Sequence, residues 1–141
     1  MIHGIVNGII LQYLSKMKIA FYNSKDFDSN LKATIHSSGK LGFTEAAIEK
    51  IGISEKKGMK IGYNETDRNE KNLYVIFTDG EDQDAFRINK AGEYYYVNTK
   101  PLFDNMQLPY KTNRISFDII QIELEGEKVY KFLYKEKPKK L

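Results

Sequence analysis

Ser38–Tyr63 reads SGKLGFTEAAIEKIGISEKKGMKIGY, and the way this stretch is punctuated decides the fold. Ser38-Gly39 supplies a turn, because glycine accepts the positive φ that tight hairpins require. Leu41 and Phe43 then alternate with Lys40 and Gly42, which is the period of a strand. Thr44 is a good N-cap for Glu45–Ile51, a run rich in strong helix formers. Gly52 sits where a left-handed cap would end that helix. A second strand follows around Gly58 and Ile61. Upstream, KATI at Lys32–Ile35 is a strand entering the turn. Downstream, the polar loop Asn64–Lys71 leads to NLYVIF at Asn72–Phe77. The whole is a strand–turn–strand–helix–strand–strand unit.

The same unit recurs between Ala85 and Leu133. AFRINKAGEYYYV, NTKPLFDNMQL, TNRISFDIIQIEL and KVYKFL follow one another as the corresponding pieces do in the first copy. Ile35 matches Ile88, Leu41 matches Tyr94, Phe43 matches Tyr96, Ile48 matches Leu102, Ile51 matches Met106 and Ile53 matches Leu108. Gly39 and Gly92 fall at the same turn. The offset grows from 53 at Ile35 to 56 at Leu73, so single-residue gaps separate the copies. Asn98 or Thr99 caps the second helix, Pro101 fits only its first turn, and Pro109 ends it. Arg114–Leu124 alternates as a half-buried strand and turns through Glu125-Gly126-Glu127 into Val129–Leu133. In this alignment Tyr94 and Tyr96 fill core positions and Tyr95 is exposed, at the position that Gly42 holds in the first copy.

The remaining composition narrows the class. A length of 141 residues, 41% apolar and 29% charged, suits one globular domain. The chain has no cysteine, which excludes disulfides, thiol nucleophiles and thiolate metal sites and agrees with a cytoplasmic location. The net charge of +3 permits nucleic acid or an acidic partner without requiring either. Charge is uneven: Thr78–Asp84 (TDGEDQD) is acidic and joins the copies, whereas residues 135–141 form a basic tail. Residues 1–31 are an N-terminal segment. Residues 1–17 have apolar residues near helical spacing but are too short and interrupted to span a membrane. A second reading makes Met17 the natural start and MKIAFYNSKDFDSN a first strand and turn.

No constellation for an enzyme emerges, and no cofactor or metal is expected. His36 lies next to Ser37 and Ser38, but adjacent strand residues face opposite ways and no acid orients the ring. It reads as a strand or turn histidine. Asp79, Glu81, Asp82 and Asp84 do not reproduce a calcium loop. Tyr95, flanked by Arg87, Lys90 and Lys100, suits stacking on a base or anchoring a protein.

Ser38–Tyr63 resembles the AbrB/MazE-type family of swapped-hairpin β-barrels. Gly39-Lys40 stands for that family's Gly-Arg, Thr44 for its Pro, Ile51-Gly52-Ile53 for its Leu-Gly-Ile, and Gly58 and Ile61 follow in place. The resemblance implies a mainly β fold with short helices (α+β). Copies 32–77 and 85–134 would close one small pseudo-twofold barrel over 32–134, making the protein a monomeric pseudo-dimer or weak homodimer. It also implies a DNA- or RNA-binding regulator or antitoxin, with Lys32, Lys40, Arg87, Lys90, Tyr95 and Lys100 as the binding face. The family's basic helix positions are here Ile48 and Glu49. The other reading is a protein-binding accessory or inhibitor module, of the kind carried by phages and other mobile elements.

Overall fold

The structure, a computed structural model, describes residues 17–24 and 30–140. The helix expected over residues 1–17 lies outside them except for Met17. Eight strands follow in chain order: β1 (Lys32–Ile35), β2 (Leu41–Phe43), β3 (Gly58–Gly62), β4 (Leu73–Thr78), β5 (Phe86–Ala91), β6 (Tyr94–Val97), β7 (Asn113–Leu124) and β8 (Glu127–Pro138). Among the described residues two short helices interrupt them, α1 (Glu45–Ile51) and α2 (Lys100–Asn105), and a 3₁₀ turn follows α1 at Ile53–Glu55. The strands close a barrel in the order β1-β2-β6-β5-β3-β4-β8-β7, every neighbour antiparallel. Closure pairs sheet edges that would otherwise invite aggregation.

Alternate residues of each strand point inward and fill the barrel. Phe117 of β7 is central, 6.3 Å from the ring of Phe103 and 6.0 Å from that of Phe132, and all three are fully buried. Ala33, Leu41, Met59, Val75 and Val97 line the same interior. The helices close on it through Ala47 and Ile51 of α1 and Phe103 of α2. Thr44 caps α1 as expected: its hydroxyl oxygen accepts from the Ala47 N–H at 3.3 Å, and Gly52 ends the helix with φ 76°.

Three expectations need correction. First, the alternation of the second hairpin is reversed. Val97 faces inward, so Tyr95 packs partly buried against the core while Tyr94 and Tyr96 face outward. The cause is hairpin length. β1 ends at Ile35, which pairs with Leu41 across the turn His36–Lys40. β5 instead runs on to Ala91, which pairs with Tyr94 around a two-residue turn, so Ile88 pairs with Val97. Ile35 and Ile88 do both face the barrel. The counterpart of Leu41 is therefore Val97, three residues beyond Tyr94, and an odd shift changes the face. Second, residues 135–138 do not belong to a free tail, although they are exposed. β8 continues through Pro138, pairing Lys135 with Ser116 and Lys137 with Arg114. Third, Thr99 occupies the N-cap position of α2 but does not cap it; its buried hydroxyl donates to the Gly39 carbonyl at 2.9 Å.

Candidate nucleic-acid interface

The registers of β1, β2, β6 and β5 place Ile35, Leu41, Val97 and Ile88 side by side on the inner face. One residue along each strand, His36, Lys40, Asn98 and Arg87 therefore form a row on the outer face, and all four are exposed. Lys100 joins them from the start of α2. It is held close by Gly39: a Cβ at that glycine, which has φ 87°, would stand 2.7 Å from Lys100 Cβ. Together with the Thr99–Gly39 hydrogen bond, this contact locks the β1–β2 turn onto the N-terminal end of α2. Lys40, Arg87 and Lys100 thus meet on one face although they are far apart in sequence.

Aromatic groups floor this row. The Lys40 ammonium lies 4.7 Å from the centre of the Tyr96 ring, within cation–π range. Tyr94 crosses over Gly42 to His36, where its hydroxyl and His36 Nε2 are hydrogen-bonded and the rings meet edge-on at 5.8 Å. Only glycine leaves room for this crossing. A Cβ at position 42 would fall inside van der Waals contact of Tyr94 Oη and 2.9 Å from His36 Nε2. Burial holds the Tyr94 phenol above its usual pKa.

The charges of the face are unequal in freedom. Lys100 is bonded to Asp104 at 2.6 Å, and this bond raises its pKa while lowering that of Asp104. No carboxylate among the described residues lies within ion-pair distance of Lys40 or Arg87. Beyond Arg87 a cleft of about 670 Å³ opens between the β3–β5 pair and the acidic connection of residues 79–85. Lys56, Lys57 and Arg87 line it together with Glu81 and Asp82. Lys56 is tied to Asp79 at 2.9 Å, which raises its pKa, and Lys60 reaches Asp82 at 3.8 Å.

The other sequence candidates lie elsewhere. Lys32 sits four residues before His36, roughly 13 Å along the strand. It faces Asp118 at 4.0 Å, and the same carboxylate is paired with Lys135. Lys90 is opposite Tyr95, 5.7 Å from its ring centre, at the far end of β5 from Arg87. Tyr95 itself presents its ring to the core. Sequence reading missed Tyr96, Asn98 and the His36–Tyr94 pair. The signal that could have found them is Val97, the last apolar residue before the helix cap, which sets the inward phase of the strand.

Compared with protein-family models, with curated proteins and with solved structures, the chain matches none. Among the described residues no cluster of His, Cys, Asp or Glu is arranged to hold a metal ion. No described helix is long and apolar enough to cross a membrane.

Proposed function

We propose that this protein is a non-enzymatic, cytoplasmic nucleic-acid-binding module of the regulator or antitoxin type. The observation that carries the reading is the outer row on β2, β6 and β5. It sets Lys40 and Arg87, two cations with no ion-pair partner among the described residues, on either side of the polar Asn98, with Lys100 alongside and the Tyr96 ring beneath. Cations in line suit a phosphate backbone, and an aromatic floor suits a base or sugar.

We also read the barrel as two tandem copies of the swapped-hairpin unit. Exchanging β1–β4 with β5–β8 leaves the cyclic strand order unchanged. β1 then meets β7 as β5 meets β3, while β2–β6 and β4–β8 each join like to like. On this reading the binding row crosses the junction of the copies, with Lys40 from one and Arg87 and Lys100 from the other.

Fluorescence anisotropy with labelled duplex DNA, single-stranded DNA and RNA tests the function. Binding is expected at low salt. On duplex DNA, log affinity should fall with log salt with a slope of about 0.9 per phosphate contacted. The pair Lys40→Glu and Arg87→Glu should abolish binding, while Lys32→Glu and Lys90→Glu change it little. Absence of binding to all three probes at low salt would falsify the proposal. A second reading, a protein-binding accessory module, is favoured by one feature away from this row: the exposed apolar residues Ile19 and Phe21, 71% and 92% accessible.

A further inference from the structure

The segment Met17–Asn23 reads MKIAFYN and enters neither helix nor strand of the described structure. Its odd positions are apolar and open to solvent: Met17 is 40%, Ile19 71% and Phe21 92% exposed. Lys18 and Ala20 occupy the alternate positions. This is the pattern of a strand with one apolar face, standing outside any sheet.

The barrel holds a matching edge. β7 pairs with β8 along its whole length, from Asn113 to Leu124. On its other side it pairs with β1 only over Ile115–Asp118, with one more hydrogen bond from the Ile119 N–H to the Leu31 carbonyl at 2.8 Å. Beyond that point no described residue pairs with Ile120–Leu124 on this second side. The apolar phase of β7 also inverts there. Ile115, Phe117 and Ile119 face the barrel interior, whereas Ile120, Ile122 and Leu124 face outward, with Ile120 43% and Leu124 48% exposed. The backbone N–H groups of Gln121 and Glu123 alternate in step with that of Ile119 and therefore point out of the open edge. No proline, lysine or bulge protects it, the usual devices against strand addition.

We propose that Met17–Phe21 is an exchange arm that adds as an antiparallel strand to the β7 edge of a second copy of this chain. One register satisfies every position. Phe21 lies opposite Ile120, Ile19 opposite Ile122 and Met17 opposite Leu124 on the apolar face. Lys18 lies opposite Glu123 and Ala20 opposite Gln121 on the other. The single charge of the arm thus meets the single charge of the edge. Each chain carries both this arm and this edge, so two copies can exchange arms and close a twofold dimer. The chain's own edge is a poor host. In the same register Phe21 and Leu31 of one chain would have to take adjacent places on β7 although they stand ten positions apart in sequence. The interface is independent of the proposed nucleic-acid row.

Sedimentation velocity on the full chain over a range of concentrations tests the arm, with circular dichroism confirming the fold of each variant. A reversible dimer is expected. Phe21→Asp should raise its dissociation constant at least about tenfold, as loss of a buried aromatic anchor does. Gln121→Pro should do the same, because it removes only the outward N–H and spares the ladder to β8. Lys18→Glu should weaken the dimer, and adding Glu123→Lys to that variant should restore it. A chain that stays monomeric throughout overturns the proposal. So does a dimer that neither Phe21→Asp nor Gln121→Pro weakens, which would indicate a different interface.

Discussion

Gly42 shows how much one missing side chain does. It lies at the centre of β2 with its bare face outward, and Tyr94 uses that bareness to reach His36. Gly42→Ala pushes the phenol off the sheet, since the end of a tyrosine side chain yields more easily than backbone. The expected result is loss of the His36–Tyr94 hydrogen bond and a fall of the Tyr94 pKa back toward the ordinary value of 10. NMR titration of ring-labelled tyrosine, assigned with Tyr94→Phe, reads this directly, and an unchanged Tyr94 titration would refute it. The sign for stability follows from linkage. A phenol whose folded pKa is raised adds stability that is complete below pH 10 and is lost as pH climbs through the folded value. In Gly42→Ala that alkaline decline should diminish. None of this was legible from the sequence, where Gly42 reads only as a strand glycine at the position that Tyr95 takes in the second copy. The partner of Gly42 depends on how far the other hairpin extends before it turns, and a register of this kind is settled by pairing rather than by local preference.

Among the elements, α1 is the one whose local chemistry was fully readable. Thr44, Glu45–Ile51 and Gly52 behave as cap, helix and terminator because each acts on its immediate neighbours. The structure adds a second duty to Thr44. Its hydroxyl also donates to the Asn30 carbonyl at 2.6 Å and accepts from the Lys32 N–H at 3.2 Å, pinning the entry to β1 beside the helix it caps. Thr44→Ala therefore removes more than a cap and should cost about 2 kcal/mol, the upper end for N-cap loss, in urea or guanidinium unfolding. A cost of only a few tenths would show that the β1 contacts contribute nothing. The β3–β4 loop is held in a similar way. Glu70 accepts hydrogen bonds from Tyr74, Asn64 and Asn72, which lowers its pKa and pushes that of Tyr74 up to about 12. The sequence displayed this loop as polar, and its internal bonding arises only because β3 and β4 bring its ends together.

At the scale of the whole molecule, stability rests on the packed barrel interior. Phe117 joins a helix to the barrel wall: it stacks with Phe103 of α2 and packs on Phe132 and Tyr134 of β8. Phe117→Ala should cost about 3–5 kcal/mol, a large share of the total for a domain of this size. Thermal and denaturant unfolding measure it, and a loss below about 1 kcal/mol would mean that the barrel centre collapses around the gap. The same interior explains why the candidate site faces outward. Side chains fill the barrel, so the proposed recognition falls to the outer row and to the cleft beside Arg87.

The sequence by itself determined what near neighbours determine. Turn glycines, the α1 cap and terminator, the alternation of β1 and β7, and a mainly β chain with two short helices are all written within a few residues of where they act. Only the tertiary structure decided which strands close the barrel, that Tyr95 turns inward while Tyr94 and Tyr96 turn outward, that β8 runs on to Pro138, and that Lys40, Arg87 and Lys100 share a face while Lys32 and Lys90 do not. The physical reason is the period of two in a strand. A hairpin longer by an odd number of residues exchanges its inner and outer faces, and hairpin length is set by pairing with strands distant in sequence.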